Sequence, residues 1–177
     1  KELNDILNQS GGQSNYMVTD VSNELDCKNM INKTIEIYGS VDVLINNAGI
    51  SMRAIFNDLD IRAFEKVMKV NFYGTIYCTK YALPHILKSK GSLVGVSSIA
   101  GHKGLPARTA YSASKFAMTG FLESLRIENL KKGLHVLIAS PGFTASNIRE
   151  NALNASGANQ KESPRNENKM MTPEVVA

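Results

Sequence analysis

Short β-branched apolar runs alternate along the chain with longer stretches whose apolar residues recur every three or four positions. Residues 15–22, "NYMVTDVS", read as a strand that ends at Asp20. The next stretch, "LDCKNMINKTIEIYG", carries Met30, Ile31, Ile35 and Tyr38 at helical spacing and stops at Gly39. Residues 41–49, "VDVLINNAG", form a nearly continuous apolar run ended by polar and small residues, which suits a strand buried on both faces. From 61 to 87 the positions Phe64, Val67, Met68, Phe72, Ile76, Tyr77, Leu83, Ile86 and Leu87 predict one long helix, with Pro84 near its end. Residues 92–98 read as a third strand, 111–130 as a second long helix, and 134–140 as a fourth strand closed by Pro141 and Gly142. Strands alternating with helices predict an α/β fold with a parallel sheet covered on both faces. Beyond Gly142 the chain turns small and polar, and 147–169 is expected to be a mobile loop over a site. "TPEVV" then signals a new helix start.

Composition narrows the function class without choosing one. The 177 residues, 43% hydrophobic and 20% charged, fit one soluble globular domain with a real core. Net charge is +4, and the only basic doublet, Lys131 and Lys132, lies in no run with interleaved aromatics, which points away from nucleic acid. Cys27 and Cys78 form neither a disulfide framework nor a metal spacing, so buried reduced thiols and a cytoplasmic setting are expected. The three histidines, His85, His102 and His135, show no zinc spacing, and no metal is expected. No apolar run reaches the length of a membrane span.

The chemistry-bearing residues gather where ligands bind in an open parallel sheet, beyond the carboxyl ends of the strands. Asp20 and Val21, the Asn46, Asn47, Ala48, Gly49 run, Ser97 and Ser98, and Pro141 with Gly142 each follow a predicted strand. Each patch alone has a plain structural reading: a helix cap, a turn, a backbone contact, a strand end. Together, at one edge of one sheet, they read as a site. In "AYSASKFAMTGF", Tyr111 and Lys115 stand four residues apart, one turn apart on one helical face. An ammonium near a phenol favours the phenolate, so the pair suits a tuned acid or base. Tyr111 follows Ser98 by thirteen residues, enough loop to bring hydroxyl and phenol to the same small volume. Asn71 is a poor helix former inside a helical pattern; a carbonyl or water contact at a local distortion would explain it, and a solvent-facing side chain is the plainer reading. Gly74 beside it fits a close-packed face.

These elements, in order, resemble the short-chain dehydrogenases/reductases, and phrases such as "NNAGIS", "SSIAG", "YSASKFA" and "SPGFT" resemble the branch near the 11β-hydroxysteroid dehydrogenase-like members. The resemblance covers essentially the whole chain and implies a single NAD(P)-binding domain with a Rossmann-like doubly wound parallel sheet. It implies an oxidoreductase that moves a hydride between NAD(H) or NADP(H) and a small-molecule carbonyl or secondary alcohol. Tyr111 would be the acid or base, Lys115 would support it and hold the nicotinamide ribose, and Ser98 would polarise the substrate oxygen. Asn71 would hold a water connecting Lys115 to solvent. Asp20 and Val21 would contact adenine, and Asn47, Ala48 and Gly49 would flank the adenosine ribose. Thr144 and Ser146, after Pro141 and Gly142, would touch the carboxamide or pyrophosphate. The family's first two strands, with its phosphate-binding glycine loop, and its last strand have no counterpart here, so the chain is expected to be part of a larger folding unit. The strand at 15–22 would then lack a ladder partner. Met52, Ile55, Leu105 and Phe143 suggest a partly apolar substrate, since the surrounding stretches hold few charges. Pairing of the two long helices into a homodimer or homotetramer is implied as well. The competing readings are a non-catalytic dinucleotide-binding or regulatory protein on the same fold, and the longer sugar epimerase or dehydratase branch.

Overall fold

In the computed structural model, which describes residues 2–161 and 170–176, helix boundaries follow from capping chemistry. Helix α1 spans Glu2–Gln9 and α2 spans Glu24–Tyr38. At the start of α2, Asn23 Oδ1 accepts from the N–H groups of Leu25 (2.9 Å) and Asp26 (3.3 Å), while Glu24 and Asp26 place negative charge in the first turn. Gly39, at φ 80°, closes that helix by donating to the Ile35 carbonyl. Asp60 caps α3 (Ile61–Met68) by accepting from the Arg62 N–H at 2.9 Å. The single helix expected over 61–87 is in fact two. A π turn, Lys69–Tyr73, separates α3 from α4 (Gly74–Ser89). The extra residue in that turn lets Asn71 point inward and be fully buried, which a regular helix would not need. Helix α5 spans Thr109–Glu128 and α6 Pro173–Val176.

Three parallel strands, β1 (Val43–Asn46), β2 (Ser92–Val96) and β3 (His135–Ala139), lie in the order β1-β2-β3. Val43 stands opposite Ser92, and Ser92 opposite His135. The sequence between them supplies the right-handed crossovers as α4 and α5. One face of the sheet, carrying Leu44, Leu93, Val136 and Ile138, packs on Ala82 and Ile86 of α4 and on Met118, Leu122 and Leu125 of α5. Ile31 of α2 completes that core. Among the described residues the opposite face is open: Val43, Ile45 and Leu137 are exposed. The run at 41–49 is therefore not covered on both sides, as its apolar continuity had suggested.

The strand expected at 15–22 does not form. No strand among the described residues offers it a ladder, residues 21–22 turn, and Val18 stands 90% exposed. Val21, at its end, packs instead on Gly74, where an added Cβ would come within 3.1 Å of three Val21 atoms. Gly74 is thus the close-packed position its sequence context implied. Cys27 and Cys78 are free and buried against one another between α2 and α4, and burial pushes the Cys27 thiol up to about 12. Residues 147–161 follow a definite path: Leu153 pairs with Met52 in a parallel bridge, exchanging backbone bonds with Ser51 (2.9 Å) and Arg53 (2.8 Å). The remainder of the expected loop, 162–169, lies outside the described residues. No described helix is long and apolar enough to cross a membrane.

Gly95 gives the sheet–helix contact its tightest constraint. A Cβ there would collide with Leu122 Cδ1, and Leu122 is fully buried and cannot swing away. Gly95→Ala should therefore destabilise the protein by about 1–3 kcal/mol, read as a lower urea midpoint. Gly104→Ala, where nothing lies within 4 Å of the new methyl, is the control and should change it by less than about 0.5 kcal/mol. Equal midpoints for the two variants would remove this packing account.

Candidate active site

The three strands all end at one rim, and the chain that leaves each strand there builds a cavity of about 280 Å³. From β1 come Asn47, Gly49 and Ser51; from β2, Ser97 and Ser98; from β3, Pro141, Gly142, Thr144 and Ser146. Helix α5 adds Tyr111 and Lys115.

Lys115 is 3% exposed, and its Nζ donates to the carbonyl of Val96 at 2.7 Å. That single bond ties the first half of α5 to the carboxyl end of β2. Burial in a low-dielectric wall disfavours the charged form and lowers the ammonium to about 8. Gly49 makes room for it: a Cβ at that position would lie 3.5 Å from Lys115 Nζ and 3.3 Å from Asn71 Oδ1. Asn71 stands just behind the wall. Its Oδ1 accepts from the N–H of Ile50 (2.8 Å), and its Nδ2 donates to the Ile50 carbonyl (2.9 Å) and to Ser114 Oγ (3.0 Å). Ser114 in turn donates to the Tyr111 carbonyl at 2.8 Å. The distortion inferred from an asparagine in a helix is real, and its partner is a backbone carbonyl.

Ser98 leaves β2 in extended conformation, and its Oγ accepts from the N–H of Ala100 at 3.2 Å, capping a short 3-10 turn. The same hydroxyl lies next to the Tyr111 phenol in the lining of the cavity. The two groups separated by thirteen residues thus meet in one wall. Burial raises the Tyr111 phenol above its ordinary value, and the Ser98 hydroxyl, then the charges of Arg108 and Arg149, pull it back down. Lys115 stands beside the phenol as the four-residue spacing places it, its Nζ 5.9 Å from the Tyr111 ring centroid.

Arg108 and Arg149 are the residues that sequence reasoning missed. Both line the cavity, which is less free of charge than the flanking stretches implied. Arg108 Nη1 donates to Ser51 Oγ and, at 2.9 Å, to the Met52 carbonyl; Arg149 Nη1 donates to the Thr144 carbonyl at 2.8 Å. Arg108 carried a readable signal, since it stands three positions before Tyr111, just ahead of the predicted helix. Arg149 reaches the site through a turn in the polar segment, which no periodicity marks. Leu105 and Phe143 line the cavity as expected, but Met52 is fully buried beneath it with Val67 and Leu153, and Ile55 is exposed elsewhere. Val21, Asn47 and Ala48 border a second, smaller pocket of about 190 Å³ beside β1. Asp20 lines neither: its carboxylate accepts from the Ser22 N–H (2.9 Å) and Oγ (2.7 Å), which holds it below the usual carboxylate range.

The family model described as short chain dehydrogenase matches residues 1–156. The chain is 43% identical over 130 residues to 11-beta-hydroxysteroid dehydrogenase-like 2 of Arabidopsis thaliana, covering 73% of this chain and 42% of that protein. It is 42% identical over 125 residues to dehydrogenase/reductase SDR family member 7B of Mus musculus, covering 70% and 39%. The chain therefore spans less than half the length of these curated relatives. Among solved structures, ElxO with NADP bound superposes with a TM-score of 0.75 at 32% identity, over 81% of this chain and 59% of that one. A gluconate 5-dehydrogenase from Burkholderia cenocepacia, in complex with NADP and tartrate, has the same fold, with a TM-score of 0.79 at 21% identity over 84% and 58%.

Lys115 leaves a signature in stability. In the unfolded chain its ammonium titrates near the ordinary 10.5, and in the folded protein near 8. Between those values the unfolded chain holds a proton that the folded one has released, so stability rises with pH across that window. Below pH 8 both states are protonated and the burial penalty is at its full size. Urea midpoints of wild type and Lys115→Met should diverge between pH 8 and pH 10, wild type gaining roughly 2 kcal/mol relative to the variant. Parallel curves over that interval would show that Lys115 titrates normally.

Proposed function

Because the chain belongs to the short chain dehydrogenase family, we propose that it forms the catalytic part of an NAD(P)-dependent oxidoreductase acting on a carbonyl or secondary alcohol, with Tyr111 as the acid or base. Its relatives place it near the 11-beta-hydroxysteroid dehydrogenase-like members of that family. The observation that carries the reading is that Ser98, Tyr111 and the buried Lys115 ammonium line one cavity at the carboxyl rim of the sheet.

The residues present fit a nicotinamide dinucleotide. Lys115 has three N–H donors, and Val96 takes the one bond that it makes among the described residues, which leaves donors for a ribose diol at the cavity wall. Gly49 and Gly142 keep their stretches low: a Cβ on Gly142 would come within 3.1 Å of Met171 Cε. Asn47, Gly49, Lys115, Pro141, Gly142, Thr144 and Ser146 would hold the dinucleotide around the cavity, and Val21, Asn47 and Ala48 would hold it along the smaller pocket. Asp20 would serve the adenine end with Oδ2, since Ser22 takes only Oδ1 and its backbone N–H and carbonyl are bonded to Asp26 and Asn23. Bound there, the dinucleotide supplies a two-electron hydride couple.

The chain's own residues supply the proton. In reduction the Tyr111 O–H donates to the substrate oxygen while Ser98 Oγ donates a second hydrogen bond to it, polarising the C=O bond. In oxidation the same phenolic oxygen receives the alcohol proton. A buried phenol raised above its ordinary value is held protonated at neutral pH, which suits the acid role. Asn71 contributes by fixing Ile50 and, through Ser114, the first turn of α5, and we assign it as the residue that keeps a proton route open behind Lys115. We also assign residues 147–169 to the substrate side, because Ile148 and Arg149 already line the cavity. Self-association through α4 and α5 fits the exposed Tyr73 and Phe116 at the π turn and on α5.

Two measurements on the full-length protein test this reading. With a panel of ketones and aldehydes, wild type should oxidise the reduced dinucleotide, and Tyr111→Phe should lower kcat by about 10²–10⁴-fold while binding the dinucleotide nearly as well. Dinucleotide binding without turnover in wild type would favour the non-catalytic reading, and normal turnover by Tyr111→Phe would remove the role given to the phenol. Light scattering should find a dimer or tetramer, and Phe116→Asp should shift it toward monomer.

A further inference from the structure

We propose that Arg108 is a positioning residue for the Tyr111 phenol: it fixes the cavity wall through Ser51 and Met52 and holds a permanent positive charge one helical turn before the phenol. The inference rests on Tyr111 being the proton donor and deepens that reading.

Three observations carry it. Arg108 is the N-cap residue of α5, three positions before Tyr111, and both line one cavity. Its Nη1 binds Ser51 Oγ and the Met52 carbonyl, two points on the loop that leaves β1 for the cavity wall. Ser51 is 4% exposed and Met52 fully buried, so these anchors do not move with solvent. The residue before it adds the third observation. Ala107 holds a left-handed backbone at φ 58°, which costs about 1 kcal/mol for a residue with a Cβ. Its carbonyl accepts from the Ala54 N–H at 3.1 Å. Two consecutive residues thus clamp one loop, and strain is accepted to do so.

The charges around Tyr111 make the role specific. Among the described residues they are Arg108 at the N-cap of α5 and Lys115 on it, Arg149 from the segment after β3, and, from the end of β2, the neutral Ser98 hydroxyl. From α3 the phenol meets the apolar Ala63 and Val67, while Arg62, Glu65 and Lys66 are exposed. His102, on the loop before α5, is exposed and bound to Ser140. Lys115 loses its charge within the alkaline range, whereas a guanidinium stays charged throughout it. Arg149 shares the electrostatic effect but binds the Thr144 carbonyl, in the segment after β3. Among the described residues Arg108 joins that charge to the loop after β1 and to the start of the helix that carries the phenol.

The test titrates the Tyr111 phenol in the full-length protein by NMR of ring-labelled tyrosine, with Tyr111→Phe identifying the signal. Arg108→Gln keeps an N–H donor for Ser51 and Met52 but removes the charge, and should raise the phenol midpoint by roughly one pH unit. Arg108→Lys keeps the charge and should leave the midpoint nearly unchanged. In turnover, the pH limb of kcat should move with the midpoint while the KM for the dinucleotide stays constant. A Gln variant whose phenol titrates with wild type would overturn the proposal, as would equal effects of Gln and Lys. If Arg108→Gln does not fold, Ser51→Ala decides: loss of the anchor should raise the midpoint by a fraction of a unit, and no rise overturns the role. The titration needs no turnover, so an inactive wild type would end the oxidoreductase reading and still leave Arg108 judged on its own.

Discussion

A buried ammonium is the constraint around which the rest of this fold is arranged. Taking Lys115 out of water costs several kcal/mol before any partner is counted, and the bond to the Val96 carbonyl offsets only part of that. The protein keeps the charge in place by surrounding it with groups that cannot leave. Val96 is the last residue of a central strand, paired on both sides. Gly49 leaves a space that any other residue would fill, and Asn71 closes that space from behind with both ends of its amide. The π turn follows from the same need: it lets an inward asparagine sit within what would otherwise be one continuous helix. A fold optimised only for stability would place a methionine at 115 and a leucine at 71. The polar choice is intelligible as preparation for a ligand that completes the unmet donors.

The phenol beside it is governed by a different balance. Burial holds the proton on Tyr111, and two guanidiniums and a hydroxyl moderate that hold. Lys115 and the arginines therefore divide the electrostatics. The lysine offers hydrogen bonds from a charge that can be lost near pH 8, and the arginines supply a field that does not change with pH. This division suits an acid that must keep its proton until a substrate oxygen arrives.

Much of this was legible in the sequence because the responsible signals are local. Four-residue spacing places Tyr111 and Lys115 on one face whatever lies around them. Strand-end residues declare themselves by a change from apolar to small and polar, and three of the four predicted strands formed with their patches at one rim. Asn71 and Gly74 were conspicuous as weak helix formers, and both proved to be contact positions. What failed depended on partners distant in sequence. Residues 15–22 have a strand's pattern but no neighbouring strand edge among the described residues, and a pattern cannot supply one. Met52 and Ile55 look alike as apolar loop residues, yet a bridge to Leu153, about a hundred positions away, buries the first and leaves the second out.

That bridge also shows which part of the cavity wall is free to vary around a fixed set of polar side chains. Residues 51–54 are held between two supports, Leu153 on one side and Ala107 with Arg108 on the other, largely by backbone hydrogen bonds. Backbone pairing fixes the position of the wall without prescribing most of its side chains. Leu105, Phe143 and Ile148 can then change size while Ser98, Tyr111 and Lys115 stay where they are, because none of those three takes its anchoring bonds from the supported loop. Arg108 is the exception that couples the two. It binds the loop by a side chain and faces the phenol by charge, so a change in the wall at Ser51 reaches the proton on Tyr111. The cavity wall and the phenol meet at that one guanidinium.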